Sequence, residues 1–229
     1  MFTGEAGLIC PGCDTSSFDG TKHLQCKSKY GLDGLANVWE YEGIAKKLLG
    51  IIKYQGITHA IRELVKSSFQ LMAADQARFA PFLKFLLTSK NYNSYKNYND
   101  YNCYISYVPM FQVKEKNRGF NQAQLIAKEI AFQLRSGRGK IEVVPLLIKT
   151  RDTGSQTQFT KEERAKNVEN SFVYKDYKIY NDYNNYSVPE SIVLVDDIYT
   201  TGATMKECAK VLKKAGVKNV WGFTLARTP

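Results

Sequence analysis

The spacing of hydrophobic positions changes from one stretch of this chain to the next, and each change marks an expected boundary. Residues 1–35 show little periodicity and are rich in Gly, Ser, Thr and Cys, which predicts a small loop-dominated module. From Tyr41 the spacing turns helical, with Ile44, Leu48 and Ile51 on one face. A second helix is expected over 58–72 with Ile61, Leu64, Val65 and Ser68 inward, and Leu83, Leu86 and Leu87 predict a third. Together 36–90 read as a helical segment, and 91–229 as a separate domain.

Two Asn/Tyr-rich tracts punctuate that domain. Residues 91–104 read NYNSYKNYNDYNCY and residues 174–186 read YKDYKIYNDYNNY, with YNDYN in both. Such tracts are expected to be surface connections. The alternative is that their tyrosines stack on nucleic-acid bases. Each tract leads into the start of a strand, whereas ligands of parallel sheets gather at the carboxyl ends, which favours the plainer reading.

Strand and helix patterns alternate through the same domain. Strands are expected at 104–108, 141–147, 171–174 and 219–225, and the continuous apolar run 192–195 predicts a strand buried on both faces. Helices are expected at 121–134, with Ala123, Ile126, Ala127, Ile130 and Leu134 inward, and at 201–215, with Met205, Cys208, Ala209 and Leu212 inward. Alternation of this kind defines an α/β domain with a mostly parallel sheet flanked by helices.

Composition narrows the class. The chain has 229 residues, 44% of them hydrophobic, enough for a real core. No apolar run approaches membrane-spanning length, and 1–9 lack a signal-peptide pattern, so no membrane insertion and a cytoplasmic location are expected. The net charge of +10 is uneven: 114–166 hold 12 Lys/Arg against 6 Asp/Glu, while 1–35 hold 3 against 4. A basic middle suits a polyphosphate ligand or nucleic acid.

The sharpest chemical signal is Ile192-Val193-Leu194-Val195-Asp196-Asp197-Ile198-Tyr199-Thr200-Thr201-Gly202-Ala203-Thr204. A buried strand delivers two acids, and a loop of small residues then opens a helix. Small residues let backbone N–H groups approach an anion, and a helix N-terminus supplies further N–H groups. Two carboxylates beside a phosphate would repel it, so their natural partners are vicinal ribose hydroxyls. The segment resembles the signature of type I phosphoribosyltransferases, which bind 5-phosphoribosyl-1-pyrophosphate (PRPP). By that resemblance Asp196 and Asp197 hold the ribose, with a catalytic role, and Thr200, Thr201, Gly202, Ala203 and Thr204 hold the 5′-phosphate.

Further segments sharpen the resemblance. These are Lys53-Tyr54-x-Gly56, Ser106-Tyr107-Val108-Pro109, Arg118-Gly119-Phe120-Asn121-Gln122-Ala123, and Arg151-x-Thr153-x-x-Gln156 followed by Arg164-x-x-Asn167-Val168 and Phe172. With the Cys-rich start they resemble the ComF family, associated with competence and DNA uptake. The family fold implies a pyrophosphate loop from Pro109 onward, neutralised by Lys116 or Arg118, and a flexible loop carrying Arg151 and Gln156. Asn121 is expected either to cap the following helix or to touch ligand, and Arg164 and Asn167 to serve either structure or ligand.

Cys10-x-x-Cys13 is followed after nine residues by His23-x-x-Cys26. Two close ligand pairs on separate turns are what tetrahedral zinc requires, and four protein ligands make the site structural. ComF-like proteins usually carry four cysteines here; in this chain His23 takes the third place, and Lys29 stands where a later cysteine would be sought. The alternative is a loop with free thiols. Loss of this metal is expected to loosen the N-terminal module and largely spare the PRPP site.

Two functional readings follow. The first is a PRPP-binding protein, with Mg²⁺ accompanying the ligand, that transfers phosphoribosyl to an unidentified acceptor. The second is a non-catalytic accessory protein that handles single-stranded DNA.

Overall fold

A computed structural model describes residues 6–26, 28–88, 102–134, 140–154, 160–175 and 188–229. Most of both Asn/Tyr tracts and Gln156 lie outside the described residues.

The chain runs β1 (Gly34–Glu40), α1 (Gly43–Gln55), α2 (Ala60–Ala74), α3 (Gln76–Thr88), β2 (Asn102–Tyr107), α4 (Gln112–Arg118), α5 (Gln122–Gln133), β3 (Lys140–Val143), β4 (Leu147–Lys149), α6 (Lys161–Val168), β5 (Phe172–Tyr174), β6 (Ser191–Tyr199), α7 (Ala203–Lys214) and β7 (Asn219–Arg227). Five strands form one sheet in the order β1-β7-β6-β2-β3, every neighbouring pair parallel. The short strands β4 and β5 pair antiparallel beside it. The α/β expectation therefore holds.

The central strand β6 explains the layering. Ile192, Val193, Leu194 and Val195 are fully buried, and successive side chains point to opposite faces. Val193 and Val195 join the core shared with α1, α2, α3 and α5, while Ile192 and Leu194 join the one shared with α7. On the first face Phe82 of α3 stacks on Phe223 of β7, ring centroids 5.5 Å apart.

Several expectations need correction. In α1 the buried face is Ala45, Leu49 and Ile52, while Ile44 is 50% exposed. The helix is turned by one residue, about 100°, because small Ala45 packs inward. In α3 the inward residues are Phe79, Phe82 and Leu86, with Leu87 61% exposed. The α2 face holds as expected. The single strand expected over 141–147 is two strands, broken at 144–146 around Pro145, and β4 leaves the main sheet to pair with β5. A proline lacks the N–H that a continuous ladder needs.

Sequence periodicity gave no sign of β1. It is buried along nearly its whole length, so it lacks alternation, and a polar Asn37 sits at its centre. Asn37 Oδ1 accepts a 3.0 Å hydrogen bond from Thr224 Oγ1 of β7, which satisfies the oxygen of this buried amide, while its Nδ2 has no partner among the described residues.

Candidate functional site

Past the buried run, β6 delivers Asp196 and Asp197 at its carboxyl end. Each carboxylate accepts the next backbone N–H: Asp197 N donates to Asp196 Oδ1 at 2.9 Å, and Ile198 N to Asp197 Oδ1 at 2.8 Å. Burial and the neighbouring Asp197 charge raise the Asp196 carboxyl well above the ordinary range, and nearby Lys149 offsets this only in part. The Tyr41 phenol is also pushed up, first by burial and then by Asp197. The two carboxylates thus sit side by side at the strand end, and burial with mutual repulsion disfavours the charge on Asp196.

After Tyr199 the chain turns through Thr200, Thr201 and Gly202. Gly202 is left-handed, φ 71°, and its carbonyl accepts the first helical bond of α7, from Lys206 N at 2.8 Å. Within the first turn, Ala203 N donates to Thr201 Oγ1 at 3.5 Å. A Cβ at Gly202 would overlap the Tyr199 hydroxyl. The position therefore needs glycine for backbone conformation and for space.

The loop opens onto a cavity of about 660 Å³. Pro109, Asp196, Asp197, Thr200 and Thr204 line it, and so do five cations: Lys53, Lys114, Arg118, Lys149 and Arg164. Gly56, φ 70°, ends α1 and leaves Lys53 and Tyr54 at the cavity mouth. Sequence reading missed Lys114 and also Lys149. Burial lowers the Lys149 pKa, against the pull of nearby acidic groups including Asp152 and Asp196. Its Nζ donates to Thr153 Oγ1 at 2.9 Å, and Asn167 Nδ2 holds the Thr153 carbonyl at 2.5 Å. Thr153 and Asn167 thus position Lys149.

Other expected residues take different places. Lys116 is exposed on α4 and does not line the cavity; Lys114, about half a turn earlier on the helix, does, paired with Asp152 at 2.6 Å. Arg151 donates to the carbonyls of Asn167 and Glu169 at 2.8 and 3.0 Å, at the end of α6. Asn121 caps α5 through Ala123 N and Gln124 N, and its Nδ2 donates to the Val108 carbonyl. Gln122, also in the cavity wall, receives Arg118 Nη1 on Oε1 at 2.7 Å. An arginine only donates, so this contact fixes the amide with Nε2 as the other group. That Nε2 is buried without a partner among the described residues, a donor suited to a ligand oxygen.

The second cluster is Cys10, Cys13, His23 and Cys26, whose ligand atoms lie within 4.8 Å of one another. A tetrahedral zinc with bonds of about 2.3 Å would set sulfurs about 3.8 Å apart, so the residues fit that ion. Cys10 Sγ accepts backbone N–H groups from Gly12 at 3.4 Å and His23 at 3.2 Å. Thr15 brings the Cys13 thiol down to about 6, while burial and the neighbouring thiols push Cys26 up to about 11. A Cβ at Gly12 would lie 2.7 Å from Cys26 Cβ, so this glycine lets the second ligand pair close on the first. Cys103 and Cys208 are buried elsewhere.

Fold and cluster together define an α/β protein with a mostly parallel sheet and a Cys/His module that can bind zinc. Known relatives narrow the class. The chain is 32% identical over 120 residues to competence protein ComFC of Streptococcus pneumoniae, covering 52% of this chain and 46% of that protein. It is 30% identical over 121 residues to competence protein F of Haemophilus influenzae, covering 52% and 48%. It is 31% identical over 124 residues to DNA utilization protein YhgH of Escherichia coli O6:H1, covering 53% and 48%. The aligned segment thus spans about half the length of the curated relatives it matches. No family model matches the chain. Over this stretch the chain is similar to proteins named for competence and DNA utilization.

Proposed function

We propose that the cavity binds PRPP, which arrives with Mg²⁺, and that the chain serves competence or DNA use as the names of its relatives indicate for them. The observation that carries this reading is the unbroken run from Asp196 to Thr204. It sets a carboxylate pair, a left-handed glycine and a helix start in succession, with Asp196, Asp197, Thr200 and Thr204 in the wall of a cavity lined by five cations. The carboxylates suit ribose hydroxyls, the loop amides suit the 5′-phosphate, and the lysines and arginines opposite suit pyrophosphate. Phosphoribosyl transfer to an acceptor is the reaction this arrangement would serve, with Asp196 and Asp197 facing the ribose as charge develops on it.

Calorimetry with PRPP tests the reading. Binding is expected with Mg²⁺, weaker binding on chelation, and a large loss in the Asp196→Asn/Asp197→Asn double variant. A wild-type protein that does not bind PRPP with Mg²⁺ present ends the proposal.

A single-stranded DNA accessory role is the second reading. Tyr54, 78% exposed with Lys53 Nζ 5.5 Å from its ring centroid, sits at the cavity mouth as a stacking platform beside positive charge. Binding that weakens steeply with salt and competes with PRPP would favour it. No binding at low salt would remove it. Among the described residues no helix is long and apolar enough to cross a membrane.

A further inference from the structure

The Asp14 side chain joins the Cys/His cluster to the segment that follows β6. Asp14 directly follows the Cys10/Cys13 ligand pair. Its backbone is left-handed, φ 61°, and its N–H donates to the Cys10 carbonyl at 2.8 Å, so the turn that carries the ligand pair also fixes Asp14. Left-handed aspartate is uncommon and is kept where the surroundings demand it.

The Asp14 carboxylate reaches across to the phosphate loop. Oδ1 accepts from the Tyr199 hydroxyl at 2.9 Å, and both oxygens accept from Lys206 Nζ at 2.8 Å. These partners flank Gly202: Tyr199 is the last residue of β6, and Lys206 closes the first turn of α7. Tyr199 is 3% exposed, and its hydroxyl occupies the space a Gly202 Cβ would need. A buried phenol in an apolar cluster, held by a carboxylate, is a rigid support under the loop.

We propose that Asp14 and Tyr199 are positioning residues that couple the metal module to the phosphate loop, so that metal at Cys10, Cys13, His23 and Cys26 tightens anion binding at 201–204. The inference rests on the proposed function only for the identity of the anion. It departs from the independence of the two sites expected from sequence. The metal orders the Cys10–Asp14 turn; the turn aims the carboxylate; the carboxylate fixes the Tyr199 ring and the start of α7. Coupling is reciprocal, so a loop ligand must tighten zinc by the same factor.

The test uses the full chain loaded with zinc, with ribose 5-phosphate as the probe, so that no Mg²⁺ is needed. Removing zinc from wild type is expected to weaken ribose 5-phosphate about tenfold, an ordinary coupling magnitude. Tyr199→Phe keeps the ring under Gly202, the zinc and the part-exposed Asp14–Lys206 ion pair, which carries little of the coupling, but cuts the buried phenol link. It should bind the probe about tenfold more weakly than wild type with zinc in place, and lose less than about twofold more when zinc is removed. Competition with a zinc-selective chelator should show ribose 5-phosphate raising zinc affinity in wild type and not in Tyr199→Phe. Because removing the metal can unfold the module, Asp14→Ala with zinc bound gives an independent measure, with the same expected loss. Wild-type affinity in both zinc-loaded variants overturns the proposal.

If zinc-loaded wild type does not bind ribose 5-phosphate at all, the ligand assignment fails. The coupling is then read by amide hydrogen exchange at 202–204. Faster exchange in both zinc-loaded variants supports the link, and unchanged exchange overturns it.

Discussion

The two walls of the cavity are built by different strategies. The contiguous wall, Asp196 to Thr204, is one segment whose geometry follows from a buried strand, a left-handed glycine and a helix start. The cation wall is assembled from separate residues on α1, α4, α6 and β4, three of them held by side-chain partners: Lys114 by Asp152, Arg118 by Gln122, Lys149 by Thr153. A contiguous wall depends on backbone conformation and fails as a unit. An assembled wall depends on side-chain tethers and should fail residue by residue.

The sharpest break is at Gly202. Gly202→Val adds a branched side chain at a left-handed φ and into the Tyr199 hydroxyl. A loss of roughly 3 kcal/mol or more, about two orders of magnitude in affinity for ribose 5-phosphate, is expected by calorimetry. Gly202→Ala should be nearly as severe, because its Cβ already overlaps. Full affinity in Gly202→Ala would show that the loop is not rigid and that the contrast between the walls is false.

On the other wall, Lys149→Met should cost about 1.5–3 kcal/mol of PRPP affinity, the range for hydrogen bonds to charged groups. Thr153→Val leaves the charge but removes its tether, so a smaller loss is expected. Equal losses from the two substitutions would mean that placement of the charge matters as much as its presence.

Arg151→Ala separates scaffold from ligand contact. Arg151 holds two carbonyls at the end of α6, so its loss should lower stability by about 1 kcal/mol in a denaturant melt and leave PRPP affinity unchanged. A drop in affinity without a drop in stability would return Arg151 to the ligand.

What was legible in the sequence follows the same division. The β6 run, the acidic pair, Gly202 and the Cys/His spacing are local, and local physics fixes each. The α2, α5 and α7 faces were legible because large apolar residues repeat at helical spacing. The α1 face was not, because Ala45 carries too little apolar signal to compete with Ile44. Lys149 was obscured because nothing near it distinguishes a lysine that β4 turns into a cavity from one on the surface. Thr153 and Asn167 drew notice as motif residues, but their role needs the pairing of loop and helix. The Asp14–Tyr199 contact joins residues 185 positions apart, and no local pattern announces it. The strand β1 escaped for a related reason: its place beside β7 is set by the sheet, not by alternation within it.

The smallest effect expected is also the one whose sign is least intuitive. Asp196 binds its proton more tightly in the folded protein than an unfolded aspartate, whose pKa is about 3.9, because burial and Asp197 disfavour its charge. Below the unfolded value the carboxyl is neutral in both states and costs nothing. As pH rises through that value toward the higher folded one, the unfolded chain ionises first and stability is lost. Asp196→Asn removes that loss and keeps an oxygen that can accept from Asp197 N. The variant should therefore melt slightly higher than wild type at neutral pH, with the difference fading as pH falls toward 4, while binding PRPP less well. Stability traded for a charged site is a common cost of function. Melting curves across pH decide the point. A variant that melts lower than wild type at pH 7, or a difference that persists unchanged at low pH, would mean that the Asp196 carboxylate is stabilising in the folded protein. The contiguous wall would then be held together by its charges as the opposite wall is, and the distinction between the two would need redrawing.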